Sequence, residues 1–158
     1  MKTLNDLPSN SRSAAAERLN AHLAGALDLA LCVKQAHWNI RGAGFIALHE
    51  MLDGLRASLD GEIDTIAERI AQLGFPAHGT LQAIQQTTSF DPYPLEEVDI
   101  SKHLAALAQR YAALGGAVRR DIANLDEMGD PASADILTGT ARVLDKGLWF
   151  LEAHLSPA

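Results

Sequence analysis

One cysteine, Cys32, is all the chain has, so no internal disulfide can form and a disulfide-stapled scaffold is excluded. Cys32 lies in an apolar stretch of helical spacing and reads as a small buried hydrophobe. Aromatic residues are scarce at 5%, while Ala and Leu dominate, which favours helices packed on helices. Basic residues are outnumbered, 13 Lys and Arg against 20 Asp and Glu; the net charge of −7 argues against a generic nucleic-acid binder and suits a protein that attracts cations. No apolar run reaches spanning length and no signal peptide opens the chain, so no membrane segment is expected and a cytoplasmic location follows by default. Repeats and low-complexity tracts are missing. So is any Glu-x-x-His motif, which disfavours a metal site built inside a single four-helix bundle.

The 158 residues suffice for one domain with a real core. Residues 1–10 are polar and read as a flexible arm. A first helix is expected from Ser11 or Ser13, carrying Leu19, Leu23, Leu27 and Leu31, and ending near Asn39 before Gly42 and Gly44. A second runs from Phe45 to Leu73 on an apolar stripe of alternating three- and four-residue spacings. The short connection makes these two antiparallel neighbours. A long crossover, about residues 74–98, holds Pro76, Pro92 and Pro94, with Thr80 capping a short helix through Gln86. A third long helix carries Leu104, Leu107, Tyr111, Leu114, Val118, Ile122 and Leu125, broken at Gly129-Asp130-Pro131; a fourth carries Ile136, Val143, Leu144, Leu148, Leu151 and Leu155. The expected fold is all-α: a ferritin-like four-helix bundle of two hairpins, with an extra short helix in the crossover.

The chemistry concentrates between His37 and Glu68. His49 with Asp53, and Asp64 with Glu68, are i,i+4 pairs, so each pair shares a helix face. Imidazoles with carboxylates suit borderline divalent metals such as Fe(II), Zn(II) or Mn(II). Counting Phe45 as zero, the four side chains fall at about 40°, 80°, 100° and 140°, well off the apolar stripe centred near roughly 315°. They therefore point away from the subunit's own core. Asp53 and Asp64 lie about 16 Å apart along the axis, too far for one metal with bonds of about 2 Å. A two-fold axis between residues 58 and 59 solves this: residue 53 then meets 64 of a second copy, and 49 meets 68. Ala57 and Gly61 near that point are small enough for close helix approach. An isologous dimer would carry two equivalent interface sites. His37, on the last turn of the first helix, can approach His49. A lone His–Asp pair on a helix is more often a solvated ion pair; four ligand types on one face with two-fold spacing make metal binding an equal reading.

At these residues the chain resembles the Dps family, the DNA-binding proteins from starved cells, which are mini-ferritins. His37-Trp38-x-Ile40-x-Gly42, then Leu48-His49 and Asp53, fits the family's first signature. Ile63-Asp64-x-Ile66-Ala67-Glu68-Arg69 with Leu73-Gly74 and Ala77 fits its second, and Ala134 to Leu137 and Leu144 to Phe150 are also family-like. The resemblance spans nearly the whole chain, as one domain over residues 1–158. It implies a hollow dodecamer built from two-fold dimers that oxidises Fe(II), preferably with hydrogen peroxide, and stores ferric mineral inside. It implies ferroxidase ligands His37, His49 and Asp53 from one subunit and Asp64 and Glu68 from its mate, with zinc or manganese as substitute metals. Trp38 and Trp149 match tryptophans near the family's iron site; hydrophobic packing and electron transfer are equal readings of them. Asp126, Asp130 and Asp135 resemble the family's acidic three-fold pores, a path for iron, although ordinary surface acids near a helix start would explain each as well.

One departure stands out. The family's name-giving member binds DNA through a lysine-rich arm, whereas residues 1–20 here hold Lys2, Arg12 and Arg18 against Asp6 and Glu17, and the tail Ser156-Pro157-Ala158 has no base. DNA binding is expected to be weak or absent. A nucleoid-associated architectural role is the competing reading from another class. A zinc hydrolase built on His49-Glu50-Met51-Leu52-Asp53 leaves Asp64 and Glu68 unexplained. His22, His78, His103 and His154 have no partner at ligand spacing and read as surface or capping residues.

Overall fold

A computed structural model describes residues 2–155. Its elements are α1 (Ser9–Asn39), α2 (Phe45–Gln72), α3 (Leu81–Thr87), α4 (Ile100–Glu127) and α5 (Pro131–Leu155). The tail Ser156-Pro157-Ala158, named above for its lack of a base, lies outside the described residues. Four long helices and one short crossover helix make up the expected ferritin-like all-α fold.

α1 begins at Ser9, earlier than Ser11 or Ser13 and inside the stretch expected to be a flexible arm. Pro8 supplies the reason. Its fixed φ suits a helix start, and its carbonyl accepts from Arg12 N at 3.0 Å. The Arg12 side chain then donates to Leu7 O and, across the bundle, to Leu73 O. Along the α1–α2 seam, early residues of one helix meet late residues of the other: Arg12 with Leu73, Ala30 O with Arg56, His37 with His49. That order is antiparallel.

α2 and α4 stop by the same device. Gly74 and Gly129 take positive φ, 92° and 78°. The residue after each donates back into the helix, Phe75 N to Ile70 O at 3.2 Å and Asp130 N to Leu125 O at 3.0 Å, which satisfies carbonyls left over at a helix end. Thr80 caps α3 by accepting from Ala83 N, as expected, and Asp99 caps α4 by accepting from Lys102 N.

The core is the merged apolar stripe of all four long helices. Leu19, Leu23 and Leu29 from α1, Leu52, Leu59, Ile66 and Ile70 from α2, Leu104, Leu107 and Tyr111 from α4, and Leu137, Leu144 and Leu151 from α5 are essentially fully buried. Cys32 is buried among them, and burial pushes its thiol up to about 12, so it is a protonated thiol near neutrality.

Two histidines are not the surface residues expected. His103 is fully buried; its Nε2–H donates to Glu97 O and its Nδ1 accepts from Tyr93 Oη, both at 2.8 Å. It stitches the crossover onto α4. His22 is buried too, and its Nε2–H donates to Asp121 on α4 at 2.8 Å. Burial lowers the His22 pKa despite the opposing pull of Asp121, so the ring is neutral near pH 7. Asp121 lies 99 positions from His22, and the partners of His103 sit 6 and 10 positions away in the irregular crossover, so helical spacing hides both. His78 and His154 are exposed, as expected.

Candidate metal centre

Where α1 hands over to α2, two imidazoles stack. The His37 and His49 rings lie 3.6 Å apart at 22°. Each Nδ1 is 3.0 Å from the other residue's backbone carbonyl. A carbonyl can only accept, so each Nδ1 carries a proton and donates. Each Nε2 is then the nitrogen with a lone pair to offer, an arrangement that backbone carbonyls commonly enforce on metal-ligating histidines. His37 is buried and His49 half-buried, with the Phe45 ring 5.0 Å from the His49 ring.

Asp53 completes the cluster. One ligand atom from each of His37, His49 and Asp53 lies within 4.8 Å of the others, and no other such His, Cys, Asp and Glu group occurs among the described residues. Asp53 Oδ1 is 3.4 Å from His37 Nδ1. Its other neighbour was not anticipated: Lys34 Nζ donates to Asp53 Oδ1 at 2.6 Å. The Lys34 ammonium, together with the two histidines, holds the Asp53 carboxyl below the usual carboxylate range. The available signal was weak, a lysine one turn before His37 on the same helix face. Lys34 also lies 5.7 Å from the centre of the Trp38 ring.

These three side chains are a half-site. Two imidazoles and a carboxylate suit a borderline divalent cation, but three ligands leave its coordination open. Asp64 and Glu68 do not join the cluster in the subunit. Both are exposed on α2, on the outward face, about three and about four turns from Asp53 respectively. Trp38 and Trp149 are 67% and 63% exposed, so neither is packed in this subunit's core.

The three acidic residues at the α4–α5 corner separate. Asp126 and Asp135 are exposed. Asp130 is only 1% exposed, which corrects the expectation that it lines a surface pore. The Gly129 turn swings Asp130 under the first turn of α5, where it accepts from Ser133 N and Ser133 Oγ and from Arg69 Nη2 at 2.7 Å. It is a charged helix cap, closed by an arginine from α2.

Comparison with known proteins agrees with this architecture. Residues 16–157 match the model of the ferritin-like domain family. A DNA protection during starvation protein from Agrobacterium fabrum is 53% identical over 98% of this chain and 95% of its own length. Among solved structures, Mycobacterium smegmatis Dps in its tetragonal form superposes with a TM-score of 0.95 at 37% identity, covering 100% of this chain and 95% of that one. DpsC from Streptomyces coelicolor superposes at 0.97 with 28% identity, covering 100% and 92%. The helical bundle, the hairpin order and this similarity along nearly the full chain together make the protein a member of the Dps family of ferritin-like proteins.

Proposed function

We propose that the protein is a ferroxidase and iron store: it oxidises Fe(II), preferably with hydrogen peroxide, and holds the ferric mineral inside a hollow dodecamer. The observation that carries this reading is the half-site itself. His37, His49 and Asp53 converge at one end of α2, while two further carboxylates, Asp64 and Glu68, wait on the same helix's outward face with the spacing a two-fold mate would need. One subunit supplies the imidazoles and Asp53, and its mate supplies Asp64 and Glu68. Iron is the substrate. The carboxylates favour Fe(III) over Fe(II), so they pull the oxidation forward. Two irons held together let one peroxide accept one electron from each, so its O–O bond is cleaved without release of a hydroxyl radical. Zinc and manganese would bind as substitutes. Removal of Fe(II) and peroxide together would protect cell and DNA in the cytoplasm, and exposed Asp126 and Asp135 would attract incoming cations. Exposed Trp38 and Trp149 are read as electron donors to this chemistry or as packing groups for a neighbouring subunit.

The DNA-coating alternative is weaker. Of the basic residues near the N-terminus, Arg12 is tied to Leu7 O and Leu73 O, and Arg18 to Asp121. Tight plasmid retention near pH 7.5 and physiological ionic strength, lost steeply with salt, would favour it.

The deciding experiment pairs two inactive variants. His37→Ala with His49→Ala removes the imidazoles; Asp64→Ala with Glu68→Ala removes the acids. Each alone should oxidise Fe(II) slowly with peroxide or oxygen. In a mixed dimer one interface site collects every defect and the other is intact, so co-assembly should restore up to half the fast oxidation. Light scattering should show an assembly of about 200 kDa, twelve chains of 16.9 kDa. A stable monomer, or verified mixed dimers without recovery, would overturn the intersubunit reading.

A further inference from the structure

α2 is tied to α5 by two polar contacts that lie one heptad apart. Near its middle, Glu62 accepts from Thr140 Oγ1 at 2.8 Å. Near its end, Arg69 donates from Nη2 to Asp130 at 2.7 Å and from Nε to Ser133 Oγ at 2.9 Å. Thr140, Asp130 and Ser133 are each 1% exposed or less, and Arg69 8%. Seven residues on a helix return to nearly the same direction, so Glu62 and Arg69 point the same way, into the seam with α5. Between them in sequence sit Asp64 and Glu68, both exposed, directed about 100° to 160° away around the axis.

From this arrangement we infer that Arg69 and Glu62 are positioning residues for the metal site, acting through the acids of the segment they bracket. Two ties on one face stop the segment from rolling about its own axis or sliding along it. The Arg69 tie is also stiff. Its planar guanidinium meets a carboxylate and a hydroxyl that already bond to each other, and Asp130 is held in turn as the cap of α5. Any roll of α2 here would swing Asp64 and Glu68 sideways at the end of a helix radius, and misplacement by about 1 Å can cost on the order of a hundredfold in rate. Because those acids serve the mate's histidines, the ties of one subunit set the geometry of the site centred on the other. His37, His49 and Asp53 lie beyond the ties, toward the α1 end of α2, the histidines held by their own reciprocal hydrogen bonds and Asp53 by Lys34.

The inference rests on the intersubunit reading, and the mixed-assembly experiment tests it directly. In the co-assembly of the His37→Ala/His49→Ala chain with the Asp64→Ala/Glu68→Ala chain, the intact site takes its acids from the first and its histidines from the second. Arg69→Lys or Thr140→Val is then placed in one chain at a time, at matched subunit ratio and verified assembly size. In the acid-supplying chain either change should slow the recovered Fe(II) oxidation by roughly tenfold, mainly in kcat. In the histidine-supplying chain it should leave the recovered rate within about twofold. Thr140→Val keeps the buried ion pair intact and removes one hydroxyl, so it serves if Arg69→Lys does not assemble. An equal loss in both placements, or none in either, overturns the inference while leaving the intersubunit site standing. No recovery in the parent mixture overturns the intersubunit site, and this inference with it.

Discussion

His37 and His49 hold each other in place: each imidazole donates from Nδ1 to the other's backbone carbonyl at 3.0 Å while the two rings stack. The contact joins the last turn of α1 to the first turns of α2, so the hairpin that builds the fold also sets the tautomers of two metal-ligating candidates. Asp53, one helical turn past His49, is the member of the cluster that Lys34 engages.

That engagement makes Lys34 a competitor of the metal. A cation binding at Asp53 must displace or share the carboxylate with the ammonium. Replacing Lys34 with Gln should tighten Zn(II) or Co(II) binding by about two- to fivefold, the range expected for removing an exposed ion pair. It should also raise the Asp53 pKa, read by NMR titration. Calorimetric titration showing unchanged or weaker metal binding would refute the competition.

His22 should make the fold acid-sensitive in a defined window. Burial lowers its folded pKa below the ordinary 6.5. Between those values the unfolded chain binds more protons than the folded one. Stability is thus fully present above about pH 6.5 and is lost as pH falls through the lowered pKa, by at most about 1.4 kcal/mol per pH unit per subunit. Asp121 acts in a separate, lower window. Burial pushes its pKa up, but hydrogen bonds from Asn124 and His22 outweigh that and leave it below the ordinary 3.8. Urea midpoints measured from pH 7.5 to 5 should fall for the native chain, and the slope should flatten in His22→Gln.

Breaking the Asp130 cap should cost more than any surface change. Asp130→Ala leaves the Arg69 guanidinium buried without its carboxylate and strips the α5 cap, a loss of about 3–5 kcal/mol per subunit. Asp130→Asn keeps an acceptor for Ser133 N and should cost less. Urea denaturation at fixed subunit concentration gives both numbers, and a loss under about 1 kcal/mol for the alanine variant would contradict a buried ion pair.

Gly147 should not tolerate a side chain. A Cβ there would sit inside the contact distance of the Tyr111 ring, which is 1% exposed and would have to shift. Gly147→Ala should destabilise the bundle by about 1–3 kcal/mol, the usual cost of overpacking. Thermal unfolding would show it, and Gly116→Ala, whose added Cβ would meet only the end of the Arg120 side chain at 3.6 Å, gives the contrast.

The sequence by itself determined the elements and the identity of the cluster. Helix periodicity, glycine stops and the Thr80 cap are local: their hydrogen bonds join residues three to five apart, so a reader of the chain can place α2, α3 and the breaks at Gly74 and Gly129 directly. His37, His49 and Asp53 were legible for the same reason, because a short turn between two helices leaves few ways to arrange them. Only the tertiary structure decided which polar groups go inside. Lys34 reaches Asp53, His22 reaches Asp121, and Arg69 reaches Asp130. The last two pairs are separated by 99 and 61 positions, and no periodicity links them. A buried charge or imidazole is stable only where a distant partner meets it, so its place is settled by how the helices pack. Asp126, Asp130 and Asp135 look alike in the chain, yet the turn at Gly129 buries one of them and leaves the other two in solvent.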